Sequence, residues 1–119
     1  MPFKRILKEL METVPGSTGA ILADWEGEAV EQCCNYDDYD LKVIGAHKGI
    51  LLNLMKDAHK NMGAGELRHM VISTERQHLL TGSVGADYFL VMTLDKNAIV
   101  GLAIRQFEMA LELMHREIY

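Results

Sequence analysis

The stretch from Asp38 to Met62 constrains this chain most, because it carries apolar residues around more of a helix than a single contact can use. At about 100° per residue, Leu41, Ile44, Leu51, Leu52, Met55 and Met62 form one apolar stripe. Val43, Ala46, Ile50 and Leu54 form a second, roughly opposite the polar edge. A helix lying on one sheet needs an apolar face of about 100°. The surplus must therefore meet another helix of the same chain or a second subunit. Asp38 or Asp40 can cap the start by accepting from the first free amides. Gly63-Ala64-Gly65 stops the helix near Asn61 or Met62, since glycine takes the left-handed cap conformation at little cost.

Shorter elements flank this helix. Phe3, Ile6, Leu7, Leu10, Met11 and Val14 recur at three-and-four spacing among charged residues and predict an amphipathic helix, halted by Pro15-Gly16-Ser17. Residues 18–24 and 28–33 flank Trp25-Glu26-Gly27 and predict a β-hairpin. Three further strands are predicted, from Leu67 to Thr74, Gln77 to Val84 and Tyr88 to Leu94, broken at Glu75-Arg76 and Gly85-Ala86-Asp87. Asp95 or Asn97 can cap a last helix from about Ala98 to Tyr119, with Glu112 and Arg116 as an i,i+4 pair.

This order predicts an α+β fold in one domain spanning residues 1–119: a five-stranded antiparallel sheet with helices segregated across its faces. The first and last helices need sheet surface for their own apolar faces, which leaves the long helix few partners within the chain. Symmetric self-contact is the expected solution, with Ile44, Leu51, Leu52 and Met55 at the contact. The alternative is a long helix buried between the sheet and the first helix.

Composition excludes several function classes. With 119 residues and 49% hydrophobic content the chain can bury one core. A formal net charge of −5 opposes nucleic-acid binding, which draws its affinity from Lys and Arg. No run approaches the roughly 18 apolar residues of a membrane span, and residues 1–15 lack the apolar core of a secretory signal. The adjacent Cys33 and Cys34 are read as reduced thiols, so a cytoplasmic protein is expected.

The search for chemistry returns little. None of the five histidines stands three or four residues from another, so neither a metal nor any other cofactor is expected. The glycines form neither a phosphate-binding loop nor a dinucleotide fingerprint. Arg76, at a predicted hairpin tip, is read as a solvated turn residue in preference to an arginine finger. Lys42, Lys56 and Lys60, with Asn53, form a basic stripe on the long helix of an otherwise acidic protein and are the candidate partner-binding residues.

The element order, the Gly-Ala-rich first strand in Val14 to Glu28 with its Asp24-Trp25-Glu26-Gly27 turn, and the segment Asn97 to Arg105 resemble the Roadblock family of dynein light chains and bacterial motility regulators. The resemblance spans nearly the whole chain. It implies a Roadblock-like α-ββ-α-βββ-α fold and homodimers in which the long helices pack together and a sheet edge of each subunit pairs. That edge would be the strand from Leu67 to Thr74, with Met70 and Ile72 at the interface. It also implies a non-enzymatic regulator that binds a small Ras-like GTPase and activates its hydrolysis, or else a passive dimeric scaffold within a larger complex.

Overall fold

The computed structural model describes residues 2–36, 38–63 and 65–119, and the side chains of Asp38, Tyr39 and Asn61 lie outside that description. Helix α1 (Pro2–Thr13) leads to β1 (Ser17–Asp24) and β2 (Ala29–Cys34). Helix α2 (Asp38–Met62) precedes β3 (Met70–Ser73), β4 (Gln77–Val84) and β5 (Tyr88–Asp95), and α3 (Val100–Ile118) closes the chain. The strands form one antiparallel sheet in the order β2-β1-β5-β4-β3.

The sheet divides two cores. Ala20 and Leu22 of β1, with Leu90, Met92 and Leu94 of β5, pack under α1 and α3, around Leu7, Leu10, Phe107 and Met114. Ile21 and Ala23, with Phe89 and Val91, point the other way and pack under α2, against Leu41 and Leu52. The inner strands are thus covered on both faces, which explains why they read as continuous apolar runs without alternation. Because α1 and α2 lie on opposite sides of the sheet, the alternative of a long helix sandwiched between sheet and first helix does not hold.

The turns follow from local chemistry. Asp24 Oδ1 accepts from the amides of Glu26 and Glu28 at 3.0 Å each, and Gly27 takes the φ of 90° that closes the β1–β2 hairpin. After α2, Gly63 and Gly65 have φ of 64° and 89°, the left-handed conformation expected of a glycine stop.

Three details differ from the sequence expectations. The strand expected over Leu67 to Thr74 is shorter, because before Met70 the chain leaves the ladder: a Cβ on Gly82 would lie 3.0 Å from the Arg68 carbonyl, and His69 Nδ1 meets Glu108 Oε1 of α3. Neither Asp95 nor Asn97 caps α3; its N-cap is Ile99, with no side-chain hydrogen bond. Asp40 stands within the first turn of α2, and the Asp38 side chain lies outside the described residues. The Glu112–Arg116 pair forms as expected, at 2.8 Å.

Candidate interaction surface

Among the described residues, α2 is the only helix packed on its face of the sheet, and two glycines set how it sits. A Cβ on Gly49 would lie 2.4 Å from the Phe89 ring, and one on Gly45 would lie 3.1 Å from Ile21. The helix backbone rests almost directly on the sheet along this i,i+4 line, which turns Leu41 and Leu52 downward into the core. Val43, Ile50 and Leu54 consequently face away from the sheet, with Ile50 62% and Leu54 60% exposed. Met55 and Met62 are exposed as well, while Ile44 and Leu51 are half-buried.

This orientation corrects one expected interface residue. Leu52 is 0% exposed on the sheet of its own chain and has no surface left for a second subunit. The stripe pointing outward is the second one, Val43, Ile50 and Leu54. Periodicity shows two stripes but not which of them lies down, whereas Gly45 and Gly49 mark the side of close approach.

β3 is an edge strand. Met70 stands opposite Thr81 and Ile72 opposite Leu79, and Thr81 stands opposite Val91 in the core beneath α2. Cross-strand neighbours share a face, so half-buried Met70 and Ile72 project on the same side of the sheet as α2. Beyond the apolar back of the helix there is thus an open strand edge with apolar side chains on the matching side.

The other edge carries a guard. Lys4 of α1 reaches over β2 and donates to the Gln32 carbonyl at 3.0 Å, with Glu31 Oε1 3.5 Å away. A lysine laid along a strand edge opposes strand addition there.

The expected basic stripe divides. Lys42 and Lys60 are exposed, but Lys56 is half-buried and its ammonium lies 4.8 Å from the centre of the Trp25 ring. Trp25 in turn packs on Phe89 at 4.9 Å and donates Nε1–H to the Ala86 carbonyl at 2.9 Å. A cation over an indole contributes about 0.5–1 kcal/mol at such partly exposed sites, so Lys56 serves the fold by pinning the β1–β2 turn to α2. A cleft between that turn and the helix is lined by Glu26, Ala46, Gly49, Ile50, Asn53 and Leu54.

Among the described residues, no group of three or more His, Cys, Asp or Glu side chains is placed to hold a metal, and no helix is long and apolar enough to cross a membrane. The adjacent thiols diverge, Cys33 toward the α1–α3 core and Cys34 toward the α2 core. His78 stands opposite Ser73, with Nδ1 2.7 Å from its hydroxyl, so it does not meet His69.

A family model of the Roadblock/LC7 domain matches residues 4–94. In structure the chain is similar to a Roadblock/LC7 domain from Streptomyces avermitilis, with 18% identity and a TM-score of 0.86 over 97% of this chain and 96% of that one. It is also similar to the gliding protein MglB from Thermus thermophilus, at 20% identity and a TM-score of 0.85 over 96% and 86% of the two chains. MglB from Myxococcus xanthus gives a TM-score of 0.87 at 15% identity, over 99% and 95%. No curated protein matches the chain in sequence.

Proposed function

The chain belongs to the Roadblock/LC7 domain family, and on that premise we propose that two copies pair into a dimer that binds a small Ras-like GTPase and promotes its GTP hydrolysis. The observation that carries this reading is the outward apolar face of α2, Val43, Ile50 and Leu54, lying on the same side of the sheet as Met70 and Ile72 of an open edge. Burying that surface removes apolar area from water at roughly 25 cal/mol per Å², and pairing the β3 edges satisfies their free backbone groups. Ile44, Leu51 and Met55 flank the contact.

The GTPase docks on the dimer beside exposed Lys42 and Lys60, cations that suit an acidic partner surface. The effect on hydrolysis is indirect: binding orders the switch loops and positions the catalytic residues that the GTPase itself supplies. A complex-forming protein of this kind turns over no substrate alone.

The test combines two measurements on the full chain. Light-scattering mass should give a dimer, and Ile50→Asp, at an exposed position, should give a folded monomer. A captured small GTPase should be retained with a non-hydrolysable GTP analogue in preference to GDP, and its phosphate release should accelerate on adding the dimer. Equal binding in both nucleotide states without acceleration would leave a passive scaffold.

A further inference from the structure

The cleft between the β1–β2 turn and α2 lies on the flank of the helix turned toward β2, where Lys42 stands beside residues 29–32. At about 100° per residue, Ala46, Gly49 and Asn53 of the cleft wall fall within the same arc of about 60° as Lys42 and Lys60. Ile44, Leu51 and Met55, which flank the proposed dimer contact, lie on the opposite side of the helix. Only the lip of the cleft, Ile50 and Leu54, is shared with the dimer face. The cleft measures about 240 Å³. That is below the roughly 300–1,000 Å³ of small-molecule sites and suits a single side chain. Its floor is apolar, formed by the Trp25 and Phe89 rings with Ala46 and Gly49, and Glu26 is the only charged residue among those that line it. Neither the exposed Glu26 carboxylate nor the exposed Asn53 amide is hydrogen-bonded to another described residue.

We propose, on the reading above that a partner docks beside Lys42 and Lys60, that this cleft receives an arginine side chain of that partner, with its stem on the apolar floor and its guanidinium at the mouth between Glu26 and Asn53. A protein laid over this flank takes the Glu26 carboxylate out of water. An apolar occupant would leave that charge unpaired, and an acidic one would be repelled. A cation on an apolar stem meets both the floor and the rim. Lysine brings a single point charge, whereas the planar guanidinium presents a fork of N–H donors that serves a carboxylate and an amide oxygen together. Lys56 does not compete for Glu26, because it lies outside the lining with its ammonium over the Trp25 ring.

The walls are held before anything binds. Asp24 Oδ1 accepts from the Glu26 amide and the Asp24 carbonyl from the Gly27 amide, each at 3.0 Å, and Trp25 is tied to the Ala86 carbonyl. An occupant therefore orders little of the site on entering. The partner surface that matches this flank is acidic opposite Lys42 and Lys60 and carries one arginine opposite Glu26, and this change of sign fixes the register of docking.

Trp25 is the only tryptophan of the chain, so its indole N–H gives one NMR signal on the cleft floor. N-acetyl-arginine amide titrated into the full chain should shift that signal and the Asn53 side-chain amide saturably. The neutral isostere N-acetyl-citrulline amide should bind at least about fivefold more weakly, and Glu26→Gln should raise the dissociation constant of the arginine probe about tenfold, as expected for loss of a charged hydrogen bond. In the GTPase capture described above, Glu26→Gln should weaken retention by a similar factor with the dimer mass unchanged. The absence of a saturable shift overturns the proposal, as does a shift that is equal for arginine and citrulline or indifferent to Glu26→Gln. Capture that Lys42→Glu with Lys60→Glu weakens and Glu26→Gln does not also overturns it, and leaves the docking reading standing. Glu26-dependent binding of the probe by a chain that captures no GTPase supports the cleft's choice of ligand and overturns the GTPase reading alone.

Discussion

Gly49 and Gly101 are both helical glycines, yet the structure gives them opposite meanings. A Cβ on Gly49 would enter the buried Phe89 ring, whereas one on Gly101 would meet nothing within 4 Å. Gly49→Ala should therefore destabilise the fold by about 1–3 kcal/mol through overpacking. Gly101→Ala should stabilise it by about 0.5–1 kcal/mol through helix propensity. Urea unfolding of the two variants checks both signs. Tyr36 makes a second residue-level prediction. Burial pushes its phenol above the ordinary 10.0, against the opposing pull of its hydrogen bond to Thr93. The fold thus favours the neutral phenol, and this contribution is fully present below pH 10.0 and lost as pH rises through the folded value. Tyr36→Phe should show a shallower loss of stability in that alkaline range, measured as denaturant midpoint against pH. None of this is legible in sequence, where Gly49 registers only as a weak helix former and Tyr36 as one of several tyrosines.

At the scale of elements, the two sheet edges differ in what guards them. β2 lies under Lys4, while β3 ends the sheet with Met70 and Ile72 on the α2 side. Ile72→Asp should shift the light-scattering mass from dimer toward monomer, because the association would have to bury an unpaired charge. An unchanged dimer would remove β3 from the contact. The existence and order of the elements were readable because glycine and proline punctuate the chain at Pro15-Gly16, Gly27, Gly63 and Gly85. Helix and strand ends were less so. β3 is cut short by Arg68 and His69 turning toward α3, and α3 starts without a side-chain cap; both depend on tertiary contacts that no local pattern encodes.

At the scale of the whole molecule, the surplus apolar surface of α2 was visible in sequence, but its direction was not. Leu52 was expected outside and lies inside, because only the packed helix shows which stripe Gly45 and Gly49 press onto the sheet. The basic stripe was visible too, although the Trp25 ring claims Lys56. Charge reversal separates these roles. Lys42→Glu with Lys60→Glu should weaken a bound GTPase, mostly through its association rate, and leave the dimer mass unchanged. Lys56→Glu should instead lower the unfolding midpoint, since it removes the cation held over Trp25. The position of Lys4 over the Gln32 carbonyl has a further consequence. On the pairing proposed for β3, it makes the sheet monofunctional, in the sense used of monomers in polymer chemistry: one edge is available and the other carries a lysine that opposes strand addition. Were two β3 edges to join in that way, both ends of the enlarged sheet would be lysine-guarded β2 strands, and strand addition would have initiation and termination with no elongation step between them.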